Sequence, residues 1–205
     1  MSDRTTHWQN VYATKGEAEV SWFQDDPAIS LAMIRAANSD REAAIIDIGG
    51  GASRLVDALL QDGYRNIAVL DLSANALDTA RRRIGATASM VDWIVADATT
   101  WRPGKTYDVW HDRAAFHFLT DPRDRAAYVE RLRSAVAPGG YVVIATFALD
   151  GPEKCSGLPV QRHDSASLAA ELGPDFELAE TRSETHQTPW GSTQAFQFSR
   201  FMRRG

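Results

Sequence analysis

The stretch IIDIGGGASRLVDALL, residues 45–60, decides the fold. A short apolar run ends on Asp47, three glycines follow at 49–51, and an apolar periodicity of helical spacing then runs from Ser53 to the glycine at 63. A buried strand that turns through glycine into a helix is the first half of a strand–helix–strand unit.

Working outward, the same unit recurs. NIAVLDL (66–72) is a second strand, and Ser73 caps a helix, ANALDTARRRI, that ends near Gly85. DWIVAD (92–97) and YDVWHD (107–112) are further strands. Asp121 and Pro122 start a helix that runs to Pro138-Gly139-Gly140, and YVVIATFAL (141–149) is the fifth strand. On the amino-terminal side, Asp26 and Pro27 open a helix over 28–37, and residues 1–25 read as an irregular arm or short helix. On the carboxyl side, Asp164 caps SASLAAEL, and two segments of period two, 176–187 and 192–202, flank Pro189-Trp190-Gly191 as an antiparallel hairpin. The expectation is an α/β fold: a Rossmann-like, doubly wound, seven-stranded sheet, mostly parallel, closed by that hairpin. Residues 1–205 are expected to form a single domain, with an arm and helix at 1–40, a ligand-binding core at 41–150, and a substrate loop and hairpin at 151–205.

Bulk properties narrow the function. The chain has 205 residues, 44% hydrophobic and 24% charged, with a formal net charge of −5. That composition is ordinary for a globular protein and gives no electrostatic footprint for nucleic acid. The single cysteine, Cys155, excludes an internal disulfide and any paired-cysteine zinc motif, and no metal site is expected. No window approaches a membrane span, and MSDRTTHWQN has no apolar signal core, so the expected location is the cytoplasm.

In a sheet of this kind, ligands gather at the carboxyl ends of the strands. Asp47, Asp71, Asp97 and Asp112 all fall at such ends. Gly49 and Gly51, with Gly50 between them, let the chain turn sharply and let a ligand approach the backbone. The amino end of the following helix favours a negative group, either a pyrophosphate or a carboxylate. Asp71 can accept from ribose hydroxyls, and Asp97 from an adenine amino group while the Ala98 backbone meets the ring edge. Residue 54 separates the alternatives. A nicotinamide or flavin fingerprint places a third glycine there, and this chain has Arg54. Asp47, two residues before the glycines, suits a ligand ammonium instead. Ammonium, carboxylate, ribose and adenine without phosphate describe S-adenosylmethionine.

The chain resembles the class I S-adenosylmethionine-dependent methyltransferases over roughly residues 40–150. DIGGG (47–51) is similar to their first motif, VLDLS (69–73), with Asp71 and Leu72, to their second, VADAT (95–99) to their third, and APGGYVVIATF (137–147) to their fifth strand, which follows a helix. The arm HWQNVYATKGEAEVSWFQ (7–24) resembles that of a group that includes protein-lysine methyltransferases. The resemblance implies that Trp8, Tyr12 and Trp22 help to enclose the cofactor.

Methyl transfer from a sulfonium needs alignment and exclusion of water, and needs a base only where the acceptor carries a proton. The segment after the fourth strand should supply the catalytic residues. Asp112 is expected to orient the substrate, Arg113 to contact the cofactor or organise the loop, and His117 to share a helical face with Arg113 and act as a base. His111 should point away from Asp112. The stretch 107–132 also resembles thiopurine- and chalcogen-methylating enzymes. The loop 150–164 reads as a substrate lid, in which Arg162 and His163 are candidates for an anionic substrate, with His186 and Trp190 near the same mouth. The run Arg81–Arg83 reads as a solvated helix end.

The expected function is methyl transfer to a nucleophilic nitrogen or sulfur of a small molecule or protein side chain, by a monomer or homodimer without nucleic-acid or membrane partners. The competing readings are a non-catalytic module that binds the same cofactor and a nicotinamide-dependent oxidoreductase.

Overall fold

A computed structural model describes residues 3–205; Met1 and Ser2, the first residues of the expected arm, lie outside the described residues. The chain runs α1 (Asp3–Thr14), α2 (Ala28–Ala37), β1 (Ala44–Ile48), α3 (Leu55–Gln61), β2 (Asn66–Asp71), α4 (Ala74–Ile84), β3 (Val91–Val95), β4 (Tyr107–Arg113), α5 (Pro122–Ala135) and β5 (Val136–Phe147). A two-rung hairpin of β6 (Lys154–Cys155) and β7 (Leu158–Pro159) follows, then α6 (Ser165–Leu172), β8 (Phe176–Gln187) and β9 (Thr193–Arg203). The main sheet has seven strands in the order β3-β2-β1-β4-β5-β9-β8. Strands β1 to β5 are parallel, and β9 and β8 are added antiparallel. The chain steps outward from β1 to β3 and then returns to β4, so the strand order reverses between β1 and β4. That reversal opens the crevice in which such sheets bind ligands.

Alternation along the strands supplies both cores. Ile45, Ile67, Val69 and Val109 pack with residues of α2, α3 and α4 on one face. Ile46, Ile48, Leu70, Trp110 and Ile144 pack with α5 and α6 on the other. Local signals set the boundaries. Ser73 accepts from Ala76 N, Asp121 from Arg123 N and Asp164 from Ser167 N, each capping the helix read from the sequence.

Four boundaries differ. Helix α2 begins at Ala28 with Pro27 in the cap position and no side-chain cap bond from Asp26. Helix α3 spans seven residues and starts at Leu55, whose N–H is taken by Ser53 Oγ at 3.1 Å. Strand β3 stops at Val95, so Asp97 lies two residues beyond it, in a turn that its own carboxylate closes on Thr99. Helix α5 ends at Ala135, and Pro138-Gly139-Gly140 falls inside β5, where the pairing with β4 shifts register between Tyr107 and Val109.

Candidate functional site

The turn after β1 is built so closely that none of its three glycines admits a side chain. A Cβ on Gly49 would sit 2.6 Å from Ala115 Cβ, one on Gly50 2.5 Å from Asp47 Oδ2, and one on Gly51 2.8 Å from Asp71 Oδ2. Gly49 and Gly51 also have φ of +67° and +42°. The glycines therefore clear space directly above the two strand-end carboxylates.

Two cavities flank this turn. The larger, about 790 Å³ including its mouth, is walled by Gly49, Asp71, Leu72, Asp97 and Ala98 on one side and by Trp8, Tyr12, Trp22, Phe118 and Cys155 on the other. Its size suits a nucleoside-sized ligand. The smaller, about 570 Å³, is walled by Asp47, Gly50, Ser53, Glu17, Ser30 and His111, among others. Tyr12, Trp22, Gly49 and Arg113 line both, so they form the junction.

The carboxylates differ in what they hold. Asp71 accepts from Ser73 N at 2.7 Å, and burial, with the charge of Asp47 adding to it, pushes its pKa up to about 7. Asp97 is held through Oδ1 by Thr99 N and Thr99 Oγ1, and its Oδ2 faces Arg4 of α1 at 3.4 Å. Asp47 lies beside His111 in the β1–β4 register. The two share a hydrogen bond of 2.7 Å between Asp47 Oδ1 and His111 Nδ1. The far nitrogen, Nε2, stands 2.9 Å from Ser30 Oγ on α2. With Nδ1–H donating to the carboxylate, Nε2 accepts from the serine hydroxyl, and the imidazole props Asp47 from below. His111 thus points away from Asp112, as the strand alternation requires, and what it meets is the neighbouring strand's acid.

The aromatic cover comes from the arm. Trp8 packs edge-on against Trp22 and Phe118, with centroids 5.6 and 5.0 Å apart, and Trp22 Nε1 donates to Tyr12 Oη at 3.2 Å. Burial and the nearby Asp71 raise the Tyr12 pKa, keeping it a phenol. Arg54 shows why no glycine stands there. Its guanidinium pairs with Glu17 at 2.7 Å and Asp25 at 3.3 Å and lies over Phe23, fastening the segment after α1 to the glycine turn.

The catalytic expectations need correction. Asp112 is fully buried and lines neither cavity. It accepts from Ala115 N, Phe116 N and Tyr128 Oη, at 2.9, 3.1 and 2.6 Å, so its lone pairs brace the turn after β4. Burial raises its pKa to about 6. His117 is equally buried, between Phe118 and Phe147, and also absent from both walls. Burial and the Arg113 charge lower its pKa to about 3, so it is a neutral ring inside the core. The expected helical face does not form, because Ala114 takes φ +67° and residues 116–118 make only a single tight turn. Arg113 alone of the three reaches the cavities. Its Nη1 donates to Trp22 O at 3.0 Å, while Nε and Nη2 are buried without hydrogen-bond partners and Glu184 Oε2 stands 3.7 Å from Nη2. Burial lowers its pKa to about 10, which leaves it cationic at neutral pH.

Other expected residues lie elsewhere. His163 is buried against Phe116, Arg162 bonds Gly151 O and Glu153, His186 bonds Ser21 O, and Trp190 is exposed at the hairpin turn. None lines either cavity. Arg83 is no solvated helix end: it grips Glu17, Asp57 and the carbonyls of Ala52 and Ser53. Arg4, Ser30 and His111 line the cavities without a direct signal in the sequence, because their partners are remote along the chain. The one local hint was the strand alternation that turned His111 toward the face of Asp47.

Residues 45–140 match the family model described as a methyltransferase domain. The chain is 30% identical over 100 residues to a trans-aconitate 2-methyltransferase of Rhizobium etli, covering 48% of this chain and 36% of that protein. It is 27% identical over 144 residues to an EEF1A lysine methyltransferase 2 of Danio rerio, covering 66% and 62%. The chain thus spans about one third to under two thirds of the length of these relatives. Among solved structures, the N-methyltransferase NodS of Bradyrhizobium japonicum in complex with S-adenosyl-L-homocysteine has a TM-score of 0.74 at 15% identity, covering 99% of this chain and all of that one, which speaks to the fold. Among the described residues, no helix is long and apolar enough to cross a membrane, and no cluster of three metal-ligating side chains occurs.

Proposed function

We propose that this chain, a member of the class I S-adenosylmethionine-dependent methyltransferases, holds its cofactor across both cavities and directs the methyl group to a nucleophilic nitrogen or sulfur of a small molecule or a protein side chain. One observation carries the reading. The side-chain-free turn at Gly49–Gly51 is flanked by Asp71 and Asp97 in one cavity and by Asp47 in the other, with no room for a Cβ at any of the three glycines.

The residues fit S-adenosylmethionine by chemistry. Asp71 would take the ribose hydroxyls, and Leu72 and Ala98 would flank the base. Asp97 would offer Oδ2, which also faces Arg4, to the adenine amino group, its other oxygen being spent on Thr99. Asp47, with Oδ1 occupied by His111, would offer Oδ2 to the ammonium. Trp8, Tyr12 and Trp22 would cover the bound molecule and keep water out. The cofactor supplies a methyl group on a sulfonium, a leaving group that departs neutral. The protein's part is alignment of the acceptor, which Arg113 and the aromatic wall at the junction would provide. Asp112 has no part in the chemistry on this reading; it fixes the backbone that carries Arg113. His117 packs the core behind it.

Calorimetric titration tests the reading. S-adenosyl-L-homocysteine is expected to bind and NADH is not. Binding of NADH alone would return the chain to the nicotinamide enzymes that Arg54 argues against.

A further inference from the structure

The junction of the two cavities contains a cation and no base. Four residues line both cavities, Tyr12, Trp22, Gly49 and Arg113, and Cys155 and Phe118 stand next to them in the larger one. Each titratable group among them is in the wrong state to accept a proton at neutral pH. Tyr12 is a buried phenol whose hydroxyl sits beside Asp71, and Cys155 is a buried thiol with its pKa raised to about 11 by desolvation. Arg113 is charged. Of the carboxylates of the cavities, Asp71 stands beside Tyr12, and Asp71 and Asp97 line the larger cavity while Asp47 and Glu17 line the smaller, so none is among the four residues shared by both. On the proposed function, three of them, Asp71, Asp97 and Asp47, are occupied by the cofactor. The fourth, Glu17, is spent on Arg54 and Arg83.

Arg113 presents the opposite chemistry. Nη1 donates to Trp22 O, and Nε and Nη2 are buried without a hydrogen bond, Nη2 being turned toward Glu184. Glu184 stands behind it at 3.7 Å but lines neither cavity, so the cavities meet the positive end of that pair. Phe196 stacks on the guanidinium at 4.5 Å and fixes its plane. A buried guanidinium that lines both cavities while its acidic partner lines neither favours carboxylates and other anions there.

We propose that the methyl acceptor is an anion when it arrives, a thiolate or a carboxylate held by Arg113, and not an ammonium that must be deprotonated in the site. The inference rests on the proposed function for cofactor and chemistry; of its acceptors it keeps sulfur as a thiolate, drops the amine and adds the carboxylate oxygen. The step balances without a proton. A lone pair of the acceptor sulfur or oxygen forms the bond to the methyl carbon, the methyl–sulfonium bond breaks with its pair left on sulfur, and an anion and a cation become two neutral products. A thiolate needs no enzymic base because it is nucleophilic as it stands.

Three probes of matched shape test this: thiophenol, benzoate and benzylamine, titrated calorimetrically into protein saturated with S-adenosyl-L-homocysteine. Both anions are expected to bind about tenfold more tightly than benzylamine. In Arg113→Met the difference should collapse, and in Arg113→Lys part of it should return. Affinity for S-adenosyl-L-homocysteine is measured for every variant as the check on folding and on the proposed function. If the wild type does not bind that compound, the proposed function fails. If it binds and benzylamine equals or exceeds the anions, or none of the three probes binds, the inference alone fails. Arg113→Met losing S-adenosyl-L-homocysteine while keeping the anion preference assigns the guanidinium to the cofactor carboxylate and also overturns it. Turnover of thiols gives an independent readout. The pH midpoint should follow the acceptor's own pKa as thiols are changed, and a midpoint that stays fixed would reveal an enzyme base.

Discussion

The ends of β2 and β4 each present a buried aspartate, and the two stand in opposite surroundings. Asp71 on β2 receives Ser73 N and faces a cavity over Gly51. Asp112 on β4 receives two backbone N–H groups and the Tyr128 hydroxyl, and faces none. Both are desolvated, and both have raised pKa values. Burial therefore does not tell an acid that faces a cavity from one enclosed by the protein. The count of donors already satisfied by the protein does, because a carboxylate with free lone pairs beside a cavity is an unmet requirement that a ligand can fulfil.

The largest effect should come from spoiling the saturated acid. Asp112→Ala would strand Ala115 N, Phe116 N and Tyr128 Oη in the core, and is expected to cost about 3 kcal/mol or more in urea unfolding. A loss below about 1 kcal/mol would show that the turn after β4 does not depend on it.

Asp71→Ala should do the reverse. Stability should change much less than in Asp112→Ala, since removal of a desolvated acid offsets the loss of its bond from Ser73 N, while the dissociation constant of S-adenosyl-L-homocysteine rises by more than about tenfold. The same carboxylate makes binding pH-dependent. Its pKa in the free protein is about 7, and hydroxyl donors favour its charged form. Affinity should thus be full above that value and fall as pH drops through it, because each binding event must expel a proton. The stability of the unliganded protein should have the opposite sign: a pKa raised in the folded state should make Asp71 stabilising near pH 4, a contribution lost as pH climbs through about 7. Calorimetry from pH 8 to 6, with Asp71→Asn as the flat control, measures the first. Parallel slopes would remove Asp71 from the pocket.

A smaller effect sharpens the comparison at β1. If His111 only fills space, His111→Phe will leave all ligands alike. If it props Asp47, the variant should bind S-adenosyl-L-homocysteine about fivefold more weakly yet bind 5′-methylthioadenosine, which lacks the amino-acid portion, as the wild type does.

What could be read from the sequence was local. Strand periodicity, the helix caps at Ser73, Asp121 and Asp164, and the glycine turn depend on neighbours within a few residues, and they gave the architecture and the strand-end acids. Roles set by partners far along the chain stayed hidden. Asp112 looked free because Tyr128 lies a helix away, and Arg83 looked solvated because Glu17 comes from the arm. His117 was misplaced by one dihedral: the left-handed Ala114 breaks the periodicity that would have set it beside Arg113. The start of β5 was missed because Pro138-Gly139-Gly140 reads as a helix stop, whereas in the sheet it sits at an irregularity that tolerates it.

The order of the sheet leaves two margins, β3 and β8, with unpaired backbone groups. Strand β8 is long and open, and such a strip would template further copies into fibrils if it were apolar. Its exposed positions instead carry Glu177 and Arg182, with Glu180 paired to Arg182 and Arg200, and β3 is short, with Asp92 paired to Lys105 beside it. Charge at both rims makes the docking of another strand electrostatically costly, so the hairpin that completes the fold also guards the chain against runaway self-association.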